Sequence, residues 1–121
     1  RSRIVTGVQT CALPICDGSF QMSLMELATM RQWDLPIKFV IMRNGYLGLV
    51  REYQHHTYHD RYSGVSLDGS PDFEKIAEAY GLDYFHLEHN DEMEQRIDEF
   101  LACDHAAMMV CEVYSFDLVK E

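Results

Sequence analysis

The sequence predicts an α/β protein: a partial, doubly wound parallel sheet with helices on both faces. Helical and strand-like patterns alternate from residue 17 to residue 114, the order that a parallel sheet with packed helices produces. One strand-like run, IKFVIM (Ile37 to Met42), is almost continuously apolar, which suits a strand covered on both faces. The helical stretches between the strands carry their own start and stop residues.

In chain order, the first helix follows Asp17. Phe20, Leu24, Leu27 and Ala28 recur at helical spacing, and SLME (Ser23 to Glu26) has the form of a capping box. Pro36 ends it, because a residue before proline is pushed out of the α region. IKFVIM follows as a strand. Residues 49–70 are aromatic, polar and histidine-rich; their first part is helical and SGVSLDGSP is loop chemistry. Ser70 caps the next helix, Pro71 fits its first turn, and Asp72 and Glu74 suit its positive end. Its stripe is Phe73, Ile76, Ala77 and Tyr80, and Gly81 stops it. DYFHL is a short strand. Asn90 caps a last helix with the stripe Met93, Ile97, Phe100 and Leu101, and AAMMVCEVY (Ala106 to Tyr114) closes as a strand.

The 121 residues suffice for one domain, and 47% hydrophobic with 25% charged residues is a globular balance. A net charge of -10 argues against nucleic acid, where Lys and Arg must neutralise phosphates, and against an anionic membrane surface. No apolar run is long enough to span a bilayer. Cys11, Cys16, Cys103 and Cys111 form no CxxC pair, so reduced thiols in a cytoplasmic protein are expected, with Cys103 and Cys111 buried and inert. The methionines Met22, Met25, Met30, Met42, Met93, Met108 and Met109 read as core filling.

Two short turns carry the chemistry. Asp17 precedes a helix, and Asn44 directly follows IKFVIM, so both sit at carboxyl ends of strands, where ligands bind in open α/β sheets. Gly18 permits close approach of a ligand, and the amides of Gly18, Ser19 and Phe20 can face a phosphate. Mg²⁺ prefers oxygen ligands: a carboxylate from Asp17, an amide oxygen from Asn44, the backbone carbonyl of Tyr46, and phosphate and water oxygens for the rest. By spacing alone, Asp-Gly and Asn-Gly also fit purely structural turns.

The wording of the segment goes further. DGSFQMSLMELATMRQWDLPIKFVIMRNGYLGLVREYQ resembles the thiamin-diphosphate motif of the acetolactate synthase (acetohydroxyacid synthase) large subunit. The resemblance continues through RYSGVSLDGSPDFEKIAEAYGL and covers about residues 17–121, the C-terminal, diphosphate-binding domain of that family. It implies the thiamin-diphosphate-binding fold, with thiamin diphosphate and Mg²⁺ as cofactors. It implies Asp17, Asn44 and the Tyr46 carbonyl as metal ligands, and Gly18 and Ser19 as diphosphate contacts. Gly48, Leu49 and Val50 correspond to a segment lining the active-site pocket, and Tyr53 to a substrate-pocket position where many members carry Trp. The implied reaction decarboxylates pyruvate and joins it to a second 2-oxoacid, in branched-chain amino acid biosynthesis. No catalytic residue is implied in this chain. The family's activating glutamate comes from an N-terminal domain, and Glu26 reads as a capping or surface residue. FAD, where members bind it, belongs to a middle domain. A homo-oligomer of the full-length chain and a regulatory subunit are the partners the family allows, with half of each site supplied here.

Two motif positions depart from the family: Cys16 stands for a Gly and Arg43 for an Asn, neither a metal-ligating side chain there. The first sixteen residues, RSRIVTGVQTCALPIC, lack the family's apolar strand and look like translated sequencing-adapter sequence. The expectation is a non-native segment at 1–16 and the truncated domain at 17–121, with CALPI pairing as a makeshift strand on an open sheet edge. HHTYHD places His55 and His59 four apart beside Asp60, which fits a metal site, a solvated surface stretch or part of a lid over the cofactor. Other thiamin-diphosphate enzymes (pyruvate oxidase, a 2-oxoacid decarboxylase, glyoxylate carboligase) and a non-catalytic diphosphate-binding or interaction domain are the alternative readings.

Overall fold

A computed structural model describes residues 12–114; residues 1–11, Cys11 among them, and 115–121 lie outside that range. Among the described residues, strands β1 (Ala12–Cys16), β2 (Lys38–Arg43), β3 (Asp83–Leu87) and β4 (Ala107–Glu112) form one sheet. All three pairings are parallel, in the order β1-β2-β4-β3. The helices are α1 (Asp17–Met22), α2 (Glu26–Trp33), α3 (Gly48–Tyr58), α4 (Phe73–Tyr80) and α5 (Met93–Ala102), with a 3₁₀ turn at Asn90–Glu92. The expected α/β sheet is present. The tail of CALPI does pair at its edge: Ala12 to Cys16 lie opposite Lys38 to Met42.

Alternation along the strands sends side chains to two cores. On one face Phe20, Leu27, Met30, Phe73 and Ala77 from α1, α2 and α4 pack on Ile41, Met108 and Val110. On the other, Phe100 of α5 packs with Leu87, Ala107, Met109 and Cys111. That second face is only half covered. Met93, Ile97 and Leu101 of α5, read from sequence as part of the helix's apolar stripe, are all more than a third exposed. With Val40 and Met42 they line an apolar groove of about 410 Å³.

Several local expectations need correction. The first helix is two, because Ser23 caps the end of α1 (its amide donates to the Phe20 carbonyl at 3.0 Å) and makes no capping box. Bonds from Leu27 to Leu24 and from Ala28 to Met25 tighten the join, and α2 starts without a side-chain cap. Asp72, not Ser70, caps α4, accepting from the Lys75 amide at 3.2 Å; the Ser70 hydroxyl instead accepts from Gln21 Nε2 at 3.1 Å. Asn90 opens the 3₁₀ turn and makes no side-chain cap for α5. Met30, Met108 and Met109 are core residues, but Met22, Met25, Met42 and Met93 are exposed. Cys111 is buried and Cys103 half-buried; burial pushes both thiols up, helped at Cys103 by its hydrogen bond to Asp83, so both are poor nucleophiles.

Lys38 shows how an ionic group sits inside the apolar strand. It is 3% exposed, and its Nζ donates to the Leu101 carbonyl at 2.6 Å, in the last turn of α5, and lies over the Phe100 ring. A cation suits that negative helix end. Lys38→Ala should cost about 2 kcal/mol through the orphaned carbonyl and lost stem packing. Lys38→Met should recover part of this; urea unfolding of both variants measures it.

Candidate functional site

Because β1 and β2 are parallel neighbours, the residues that follow them leave the same edge of the sheet side by side. Asp17 is the first residue past β1 and is fully buried. Its Oδ1 accepts from the Gly18 amide at 3.0 Å and its Oδ2 from the Gly45 amide at 2.9 Å, so one carboxylate ties the two turns together. Asn44 follows β2, and its Oδ1 accepts from the Tyr46 amide at 3.0 Å, shaping a turn in which Gly45 takes φ +72°. Gly48 opens α3 just beneath; a Cβ there would stand 3.2 Å from Asn44 Nδ2.

Residues 65–67 brace this second turn. The Leu47 amide donates to the Val65 carbonyl and the Leu67 amide to the Gly45 carbonyl, each at 2.8 Å, on either side of an antiparallel bridge between Tyr46 and Ser66. In that pattern the bridging residue's own amide and carbonyl point away from the partner strand. The Tyr46 amide goes to Asn44, and its carbonyl takes no part in the bridge.

The electrostatics at Asp17 are unusual. Among the described residues, two backbone amides meet its carboxylate and no cationic side chain does. A buried carboxylate ordinarily has a charged partner or a metal. Arg43, though adjacent to Asn44, is not that partner. It pairs with Glu112 at 3.1 Å and lies over the Phe73 ring. The Asp17 carboxylate, Asn44 amide oxygen and Tyr46 carbonyl are hard oxygen donors, a set that fits Mg²⁺.

Elsewhere, no group of three or more His, Cys, Asp or Glu able to hold a metal occurs among the described residues. In HHTYHD, His55 Nδ1 pairs with Asp60 Oδ1 at 2.5 Å, and the Tyr62 hydroxyl donates to the same oxygen at 2.7 Å. These bonds, Tyr62's first, hold the Asp60 carboxyl below its ordinary range. His59 ends α3 at φ 51°. The stretch is a surface cluster that fastens the end of α3.

At the first turn, two of the three amides expected to face a phosphate, those of Gly18 and Ser19, already have partners. The Gly18 amide serves Asp17, and the Ser19 amide donates to Cys16 Sγ at 3.4 Å while that thiol donates to Ser19 Oγ at 3.0 Å. Cys16 thus acts as the cap of α1. Gly18 has a packing reason beyond ligand approach: a Cβ would lie 2.7 Å from Leu47 Cδ2 and 3.3 Å from Leu67 Cδ1. Cys16→Gly frees the Ser19 amide and hydroxyl, and should tighten thiamin diphosphate binding about threefold, one hydrogen bond's net worth, by calorimetry. Weaker binding by that variant would show that the thiol supports the turn instead.

Leu49, Val50 and Tyr53 ride on α3 at 83%, 45% and 58% exposure, an apolar face open to solvent beside the two turns. Three contributors escaped the sequence reading: Leu47, the Val65–Leu67 brace, and Arg51, which is buried against Tyr46 and Tyr62. The available signal was an apolar Val65 inside a stretch of loop composition.

Residues 7–113 match the family described as "Thiamine pyrophosphate enzyme, C-terminal TPP binding domain". The match opens inside the segment expected to be non-native. The chain is 39% identical over 98 residues to an acetolactate synthase of Arthrospira platensis, covering 80% of this chain and 17% of the relative. It is 38% identical over 105 residues to the acetolactate synthase large subunit of Porphyra purpurea, covering 84% and 18%. To the acetolactate synthase isozyme 2 large subunit of Escherichia coli (strain K12) it is 39% identical over 88 residues, covering 73% and 16%. The chain therefore spans less than a fifth of the length of these relatives.

Proposed function

Since this chain belongs to the thiamine pyrophosphate enzymes and carries their C-terminal TPP binding domain, we propose that it is the cofactor-anchoring part of an acetolactate synthase. Asp17, Asn44 and the Tyr46 carbonyl hold Mg²⁺, and the diphosphate lies against Gly18 and Ser19, whose amides exchange their bonds to Asp17 and Cys16 for it. Gly48, Leu49 and Val50 form part of the pocket wall, and Tyr53 faces the substrate. The observation that carries this reading is the fully buried Asp17, held by amides of both turns with no side-chain cation beside it among the described residues. A divalent ion supplies the missing charge and lets a chain of net charge -10 accept an anionic cofactor.

When bound, thiamin diphosphate supplies the electron sink that stabilises a carbanion after decarboxylation of a 2-oxoacid. This chain's residues bind and orient. The Asp17 bridge fixes the spacing of the turns, the Asn44 turn aims the Tyr46 carbonyl, and α3 offers an apolar wall that excludes water once covered. The exposure of Leu49, Val50 and Tyr53 fits a site completed by another polypeptide surface, as in a homo-oligomer of a full-length enzyme. A regulatory subunit and FAD, where present, belong to that larger assembly, and the cytoplasm is the proposed location. No described helix is long and apolar enough to cross a membrane. Residues 1–16 are proposed to be foreign to the domain at 17–121, with Ala12–Cys16 filling a strand position; sequencing the source DNA upstream of the Asp17 codon tests this.

Calorimetry of the purified chain tests the anchoring role. Thiamin diphosphate should bind with Mg²⁺ present and lose most of its affinity with excess chelator; equal binding in both conditions sinks the metal bridge. The isolated chain should make no acetolactate from pyruvate, and detectable product would show that it holds a complete site.

A further inference from the structure

Arg51 is 7% exposed on α3, an unusual depth for a guanidinium. Its Cζ lies 4.2 Å from the Tyr46 ring centroid and 5.3 Å from that of Tyr62. Both are within cation–π range, and a planar guanidinium stacks where an ammonium does not. We propose that Arg51 is a positioning residue: by lying over Tyr46 and Tyr62 at once, it locks the Asn44–Leu47 turn to the 60–67 segment, in the shape that presents the Tyr46 carbonyl to a cation. The cation in this statement rests on the reading given above; the lock does not.

The surrounding bonds close a ring through this residue. From α3, Gln54 grips the Ser63 backbone twice, at 2.9 and 3.1 Å, and His55 holds Asp60, which accepts from the Tyr62 hydroxyl. From the same segment, Val65 and Leu67 bond the second turn. Arg51 spans the middle. A cavity of about 360 Å³ lined by Tyr46, Arg51, Tyr62 and Val65 leaves the segment room to shift when the rings lose their common partner.

Amide hydrogen exchange on the full 121-residue chain reads the lock without any cofactor. In Arg51→Gln, the amides of Leu47 and Leu67 should exchange about tenfold faster, the size of a lost stacked pair. The amides of Ile41 and Val110 should keep their rates, and Arg51→Lys should fall between. Tyr62→Leu removes the more exposed ring and should give the same local change if Arg51→Gln fails to fold. Unchanged rates at Leu47 and Leu67, or a uniform rise that includes Ile41 and Val110, overturns the proposal. A parallel Mg²⁺ titration with thiamin diphosphate should show about tenfold weaker apparent Mg²⁺ affinity in Arg51→Gln. If the unsubstituted chain itself shows no Mg²⁺ response, the metal reading falls, and the exchange rates still decide the lock.

Discussion

Asp17→Ala should lower the stability of the cofactor-free chain by about 3 kcal/mol and abolish the Mg²⁺ dependence of thiamin diphosphate binding. The first effect follows from two amides. Gly18 and Gly45 both donate to this carboxylate in a buried setting, and each donor left unpaired costs about 1–3 kcal/mol. Part of that loss is offset because a desolvated charge disappears with the side chain. The second effect follows from the donor set, since Asp17 supplies its only carboxylate. Asp17→Asn separates the two. It keeps the shape and one acceptor, so it should lose less stability than Asp17→Ala while losing the metal response just as fully. Urea unfolding and calorimetry on the same preparations provide both readings. An Asp17→Asn variant that still binds cofactor in a Mg²⁺-dependent way would remove Asp17 from the metal site.

Phe20→Ala should be the most damaging single change in the core, at about 4 kcal/mol. The ring is 2% exposed and meets Phe39 and Phe73 edge-on, each at 5.8 Å between centroids. It stands in the helix that opens at Asp17, between β2 and α4, so its loss empties the junction of three elements. A domain of this size has about 5–15 kcal/mol in total, so much of its margin would go. Phe20→Leu, which fills most of the volume, should cost well under half as much. A loss below about 1 kcal/mol for Phe20→Ala would mean that Phe39 and Phe73 collapse into the gap.

The alternation of elements, the presence of β2, and the apolar stripe and Gly81 stop of α4 were legible because local pattern and backbone geometry agree there. The cap of α4 was not, since Ser70 and Asp72 both have capping side chains and Asp72 takes the position. The break between α1 and α2 was not. Phe20 and Leu27 keep their helical spacing across it, and only the backbone bond from Ser23 to Phe20 ends the first helix. The stripe of α5 misled for a different reason: periodicity marks a face as apolar but not whether anything covers it, and Met93, Ile97 and Leu101 stand beside an open half-sheet. At the site, Asp17, Gly18 and Asn44 announce themselves as turn residues next to strands. The thiol cap at Cys16 could not be foreseen, since cysteine is a rare helix cap. Arg51 was hidden because its partners, Tyr46 and Tyr62, lie on opposite sides of α3 in sequence.

The strand order has a kinetic meaning. β1 and β2 join through α1 and α2, and β3 and β4 join through α5, so each pair can zip up within a short stretch of chain. The β2–β4 seam is different: its Arg43–Glu112 pair closes a loop of 69 residues. Chain entropy must be surrendered before that seam returns any contact energy, which makes it the natural bottleneck of folding. Asp17 and Gly45 both fall within or directly after the first β–α–β unit, so their bond can close early. Mutations along β2 and β4, and at the Asp17–Gly45 bond that closes before the seam, should therefore mainly slow folding, while those on the half-covered outer face of α5 should mainly speed unfolding.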